Sequence, residues 1–112
     1  MAKPVARTYS RYTLEAISLL GKLVRLARIE KKMTTQNVAD RAGISRGLLQ
    51  RIEKGDPKCE LGAALEVAVI VGVTLFETDS DSLAVQNLRA EDKLVLLPQS
   101  VRFRDREVDD DF

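Results

Sequence analysis

The sequence predicts an all-α protein of five to six short helices, a compact helical domain followed by a C-terminal extension. Apolar residues recur at spacings of three and four along most of the chain, the period of a helix with one buried face. Cap residues and glycines bracket those runs repeatedly, as in Thr34-Thr35, Gly43, Ser45 and Gly55. Hydrophobic residues make up 45% of the 112 and aromatics only 4%, so the core is built from Leu, Ile, Val and Ala, which suits small, closely packed helices.

Each element follows in order. Residues 1–12 are polar and basic, with Pro4 near the start, and read as a flexible N-terminal arm. Thr13 offers a cap, and Leu14, Ile17, Leu20, Gly21, Val24 and Ala27 continue at helical spacing, widened by Leu23 and Leu26, to about Lys31 or Lys32. Thr34 or Thr35 caps a second helix, Gln36 to Ala42, stopped by Gly43. Ser45 caps a third, Arg46 to Lys54, which stops at Gly55 ahead of Asp56-Pro57. A fourth covers Leu61 to Val71 and ends at Gly72. Its valine-rich run would also suit a strand, but Leu61, Ala64, Leu65, Ala68 and Val71 keep the helical spacing. A fifth turn or helix begins near Thr74, and a further helix covers Leu83 to Leu97, broken by Pro98. The expected organisation is an arm (1–12), a main helical domain (13–78), a helical extension (79–98) and a disordered or partner-binding tail (99–112).

The formal net charge of +1 hides a strong division. Residues 1–60 hold 13 Lys and Arg against 6 Asp and Glu, a net of +7, whereas residues 61–112 hold 5 against 11, a net of −6. The front half suits a polyanion and the back half is repelled by one. With no His and one Cys, metal sites of the usual His/Cys kind, Cys–His nucleophiles and intramolecular disulfides are excluded. No carboxylate, Lys or Ser cluster suggests catalysis, no cofactor is expected, and Asp109, Asp110 and Asp111 in a tail are a poor cation site. The lone thiol, the absence of a signal-like start and the brevity of the run Ala63–Phe76 point to a soluble cytoplasmic protein without membrane contact.

The densest pattern lies between Thr34 and Gly55. Two short helices joined by a tight turn form a helix-turn-helix, which needs a small residue where the helices approach, here Ala39, and a glycine at the turn, here Gly43, where a Cβ is expected to clash. Val38, Ala42, Ile44, Leu49 and Ile52 occupy inward positions, and Arg46, Gly47, Gln50, Arg51 and Lys54 the exposed ones. Met33 reads as core, Cys59 as a plain loop thiol, and Arg25, Lys31 and Lys32 as a solvated face.

From about Leu20 to Phe76 the chain resembles the Xre-like, phage-repressor type of helix-turn-helix domain. The residues that carry the likeness are LGKLVRLARIEKKMTTQNVADRAGISRGLLQRIEKG and ELGAALEVAVIVGVTLFE. The resemblance implies a partly buried structural ion pair between Arg28 and Glu53 of the I-E-x-G sequence. It also implies a third helix in the major groove of double-stranded DNA, with Arg46, Gly47 and Arg51 against base edges and Gln50 on a base or phosphate. Gln36, Ser45 and Lys54 would grip phosphates. Thr35 stands where the family usually has Gln, which leaves the contact at that corner to Thr35 or Gln36. Gly47 either lets the helix backbone approach the DNA or is merely tolerated.

Within that family, GISRGLLQRIEKGDPKCELG, the valine-rich fourth helix and the ending REVDDDF look like HipB-type antitoxins. This implies a repressor of its own operon that also binds a HipA-like Ser/Thr kinase toxin. A homodimer is expected on a palindromic operator, paired through Val67, Val69, Val71, Val73, Leu75 and Phe76, with Phe112 as an anchor for the partner. The competing readings are a stand-alone regulator of the same type, without a toxin, and an adaptor that no longer binds DNA.

Overall fold

A computed structural model of the chain describes residues 8–76 and 80–98. The described residues contain five helices and no strand: α1 (Arg11–Glu30), α2 (Thr35–Ala42), α3 (Arg46–Glu53), α4 (Leu61–Val71) and α5 (Ser80–Leu96). They fall into two compact units that divide between Leu75 and Phe76. None of the described helices is long and apolar enough to cross a membrane. The arm residues 1–7 and the tail 99–112, including Phe112, lie outside the described residues.

Local chemistry sets the helix ends. Ser10, Thr34 and Ser45 each adopt extended backbone and accept a hydrogen bond from the amide three residues on, at Thr13, Asn37 and Leu48. α1 therefore starts two residues before Thr13, whose hydroxyl accepts from that of Ser10 at 3.0 Å. Thr34, not Thr35, caps α2. α4 runs over the expected residues and closes at Gly72. No helix forms at Thr74–Phe76, and the extension helix begins at Ser80 rather than Leu83.

The core of the first unit joins four helices: Val24 of α1, Val38 and Ala39 of α2, Leu49 and Ile52 of α3, and Ala63, Val67 and Val71 of α4 are buried together. Leu20, Ala27, Met33, Ala42, Ile44 and Cys59 pack partly against them. α2 lies against α3 and α4, and α1 against the same two. Gly21 makes the α1–α3 crossing close: a Cβ there would stand 2.5 Å from the carbonyl oxygen of Ile52 and 2.6 Å from that of Glu53. Neither helix could keep its axis with a larger residue.

Two sequence expectations fail here for one reason. Leu23 and Leu26 do not widen the buried face of α1; they are 40% and 56% exposed. The pairing surface expected on α4 and the residues after it is divided, because Val67 and Val71 are fully buried and Val73 packs against the same core, while Val69, Leu75 and Phe76 are exposed. A helix buries one arc of its circumference, and α1 and α4 carry apolar residues on more than one arc. Val67 and Val71 thus belong to the fold of one chain and are not free to meet another.

Candidate nucleic-acid interface

The corner between α2 and α3 is built from backbone bonds. Gly43 sits at φ 69° in the left-handed region, donating to Asp40 at 3.2 Å, and the amide of Ile44 donates to Ala39 at 3.0 Å. An added Cβ at Gly43 would meet nothing within 4 Å. The expected clash is absent, and what requires glycine is the backbone conformation itself. Ala39 is fully buried under the corner. These contacts fix the direction in which α3 leaves the turn.

One face of α3 is solvent-facing and polar. Arg46, Gly47, Gln50, Arg51 and Lys54 are all exposed, while Leu49, Ile52 and Glu53 are buried behind them. The Ser45 hydroxyl accepts from the Leu48 amide at 3.0 Å, so it sets the start of the helix and still carries a proton to donate. With its cap in place, α3 presents the positive end of its backbone dipole at Ser45 and Arg46. A Cβ on Gly47 would find only the Ser45 hydroxyl, 3.9 Å away, so packing does not call for glycine at this position.

The back of α3 is held by an ion pair. Arg28 Nε donates to Glu53 Oε2 at 2.7 Å and Nη2 to Oε1 at 3.1 Å, a two-pronged pair, while Nη1 donates to the Met33 carbonyl at 3.1 Å. The side chains are 11% and 5% exposed. Three groups are joined in this way: the end of α1, the loop after it and the last residue of α3. α3 cannot rock without breaking charge-assisted bonds in a poorly hydrated place.

Two site residues have side-chain partners, one at helical i,i+4 spacing and one that helical spacing does not reveal. Gln36 is exposed in the first turn of α2, and its amide nitrogen donates to Asp40 Oδ1 at 2.8 Å. Arg51 donates through Nε to Asp56 Oδ2 at 2.8 Å. The reversal at Gly55, φ 78°, brings the Asp56 amide onto the Arg51 carbonyl at 3.0 Å, and with it the carboxylate onto the guanidinium. Asp56 Oδ1 also accepts from the Lys58 amide at 2.9 Å. That backbone donor and the Arg51 guanidinium hold the Asp56 carboxyl below its ordinary value, and Asp56 in turn raises that of Arg51. The Gly-Asp-Pro sequence after α3 was the available signal for this pairing. Since Nε is used, the two terminal nitrogens of Arg51 remain for another acceptor.

Beside this face lies an open cleft of about 580 Å³, lined by Gly47, Leu48, Arg51, Lys58, Cys59 and Glu60. Cys59 is half-buried there, and burial pushes its thiol up, away from nucleophilic chemistry.

A helix-turn-helix domain family model matches residues 19–80, more than half of the chain. The chain belongs to this helix-turn-helix domain family. The matched span takes in most of α1, the capped corner and all of α3 and α4, and so the whole of the exposed face that α3 carries. Among curated proteins nothing matches the chain significantly. Membership makes the first unit a DNA-binding domain of the kind found in transcription regulators, with α2 and α3 as its two defining helices.

Proposed function

We propose that the protein is a sequence-specific transcriptional repressor that reads the major groove with α3. The observation that supports this most is the single exposed face of Arg46, Gln50, Arg51 and Lys54 on a helix whose opposite side is locked by Arg28 and Glu53. Arg51 and Arg46 are the base-reading residues, each able to donate to guanine through paired hydrogen bonds. Gly47 lets the backbone of α3 approach the duplex, and Gln50 adds a base or phosphate contact. Ser45, Lys54 and the first turn of α2 hold phosphates. At that turn Gln36 is engaged with Asp40, which favours Thr35 as the phosphate ligand. No catalytic step and no cofactor form part of the proposal.

The test is selection from a random duplex library followed by binding to the enriched sequence. Arg51→Ala should weaken binding to that sequence by roughly 5- to 150-fold, the equivalent of a bidentate base contact, and relax preference at one base pair. Failure to enrich any sequence would refute the reading.

The finer reading is a dimeric antitoxin, acting on a palindromic operator and binding a HipA-like Ser/Thr kinase toxin through residues beyond the helix-turn-helix. One observation favours a protein partner for the extension: Leu88, Leu94, Val95 and Leu96 of α5 are each 66% exposed or more. Exposed apolar side chains at this density on one helix are costly unless covered. Co-expression with a HipA-like kinase encoded beside the gene, for the full chain and for a chain ending at Gln99, separates the alternatives. Kinase inhibition by the full chain supports the antitoxin, and its absence leaves a stand-alone regulator.

A further inference from the structure

We propose that the outer face of α1 is a self-pairing surface, on which a second copy of this chain docks its own α1 in antiparallel orientation. The face is defined by Tyr12, Ala16, Leu19, Leu23 and Leu26, with successive spacings of four, three, four and three. That is the heptad repeat of a two-helix seam; the partly buried Leu20 and Ala27 flank it, and Val24 turns into the core beyond them. Every residue of the stripe is exposed, Tyr12 at 84% and Leu19 and Leu26 at 56%. The stripe runs about 21 Å along the helix at ~1.5 Å per residue.

Its surface relief fits a helix. A depression of about 390 Å³ is lined by Tyr12, Glu15, Ala16, Ser18, Leu19 and Lys22. Tyr12, Glu15, Ala16 and Leu19 stand at i, i+3, i+4 and i+7, the four corners of a hole that accepts one side chain from a facing helix. Ser18 and Lys22 extend the depression into the next such hole. The small side chain of Ala16 leaves the hole open.

Orientation follows from charge and size. Glu15 and Lys22 flank the stripe on one side, seven residues apart. In an antiparallel pair with its two-fold axis between them, Glu15 of each copy meets Lys22 of the other, twice by symmetry. The same register sets Ala16 against Leu19 of the other copy, small against large, and Tyr12 against Leu23. A parallel pair would place Ala16 on Ala16 and leave a void, and the residues facing Glu15 and Lys22 would be Leu20 and Ala27, without charge. The seam is short beside a standard interface, so the pairing is a micromolar one.

The test is sedimentation equilibrium of the full chain at protein concentrations up to about 100 µM. The expected result is a concentration-dependent dimer, weakened at least about tenfold by Leu19→Glu, which sets two carboxylates in the seam. Circular dichroism of each variant checks that it remains folded. The charge variants carry the decision on orientation: Glu15→Lys and Lys22→Glu each weaken the dimer, and the double exchange restores it. Three results overturn the proposal: a wild-type chain that stays monomeric throughout, a dimer indifferent to Leu19→Glu but lost with Val69→Glu on α4, and single charge variants that the double exchange does not rescue. None of these outcomes depends on whether the chain selects a DNA sequence.

Discussion

Removing Glu53 tests how α3 is held. In Glu53→Ala the guanidinium of Arg28 keeps its bond to the Met33 carbonyl and loses both carboxylate contacts, at 2.7 and 3.1 Å. The Arg28 side chain is 11% exposed, so water reaches it poorly and does not replace what is lost. Truncating one member of such a buried pair costs about 3–5 kcal/mol, because the remaining charge is left unpaired. Each kcal/mol moves the midpoint of a domain this size by about 4–8 °C, so a fall of at least ~12 °C is expected. Reversible urea unfolding followed by far-UV circular dichroism, at one fixed protein concentration, measures the difference. The paired replacement of Arg28→Met with Glu53→Leu should cost less than Glu53→Ala alone, since neither residue then leaves a buried charge behind. A Glu53→Ala chain within about 1 kcal/mol of wild type would refute the reasoning, because only an exposed pair is worth so little.

Gly21→Ala should be strongly destabilising, since its Cβ would press on the Ile52 and Glu53 carbonyls; a melting point unchanged from wild type would show that the crossing is looser than described. Gly47→Ala should raise stability by about 1 kcal/mol from helix propensity alone, because nothing crowds the new methyl; if the backbone there meets DNA, affinity for the selected duplex falls at the same time. Val67→Ala should cost about 2 kcal/mol through lost packing, whereas Val69→Ala, in solvent, should be close to neutral in the same urea assay. The Asp56 carboxyl should titrate below the ordinary aspartate range by NMR, with its midpoint rising in Arg51→Ala. The sign is that of a depressed acid: its contribution is present above the unfolded carboxyl's pKa and is lost as pH falls through the lower folded value. That contribution is present at neutral pH but small because the pair is exposed, so Asp56→Asn should lower stability there only slightly, while loosening the base preference of Arg51.

Much of the fold was legible from residues that act on their immediate neighbours. A Ser or Thr before a helix satisfies an amide three residues away, and Gly43 supplies a left-handed turn within its own backbone. Such interactions need nothing distant, which is why the ends of α2 and α3 and the whole of α4 could be read from the chain within a residue or so. The polar face of α3 was legible for a related reason, since its exposed and buried positions separate cleanly at helical spacing. What the sequence determined by itself was therefore the set of helices, their order and the helix-turn-helix at their centre. The tertiary structure decided which arcs of α1 and α4 turn inward, burying Val24, Val67 and Val71 and leaving Leu19, Leu23, Leu26 and Val69 outside. It also decided that Arg51 meets Asp56 and that Gly21 marks the tightest crossing. The physical reason is competition: α1 and α4 carry more apolar surface than one small core can cover, and only the packing of four helices against one another selects the part that is buried.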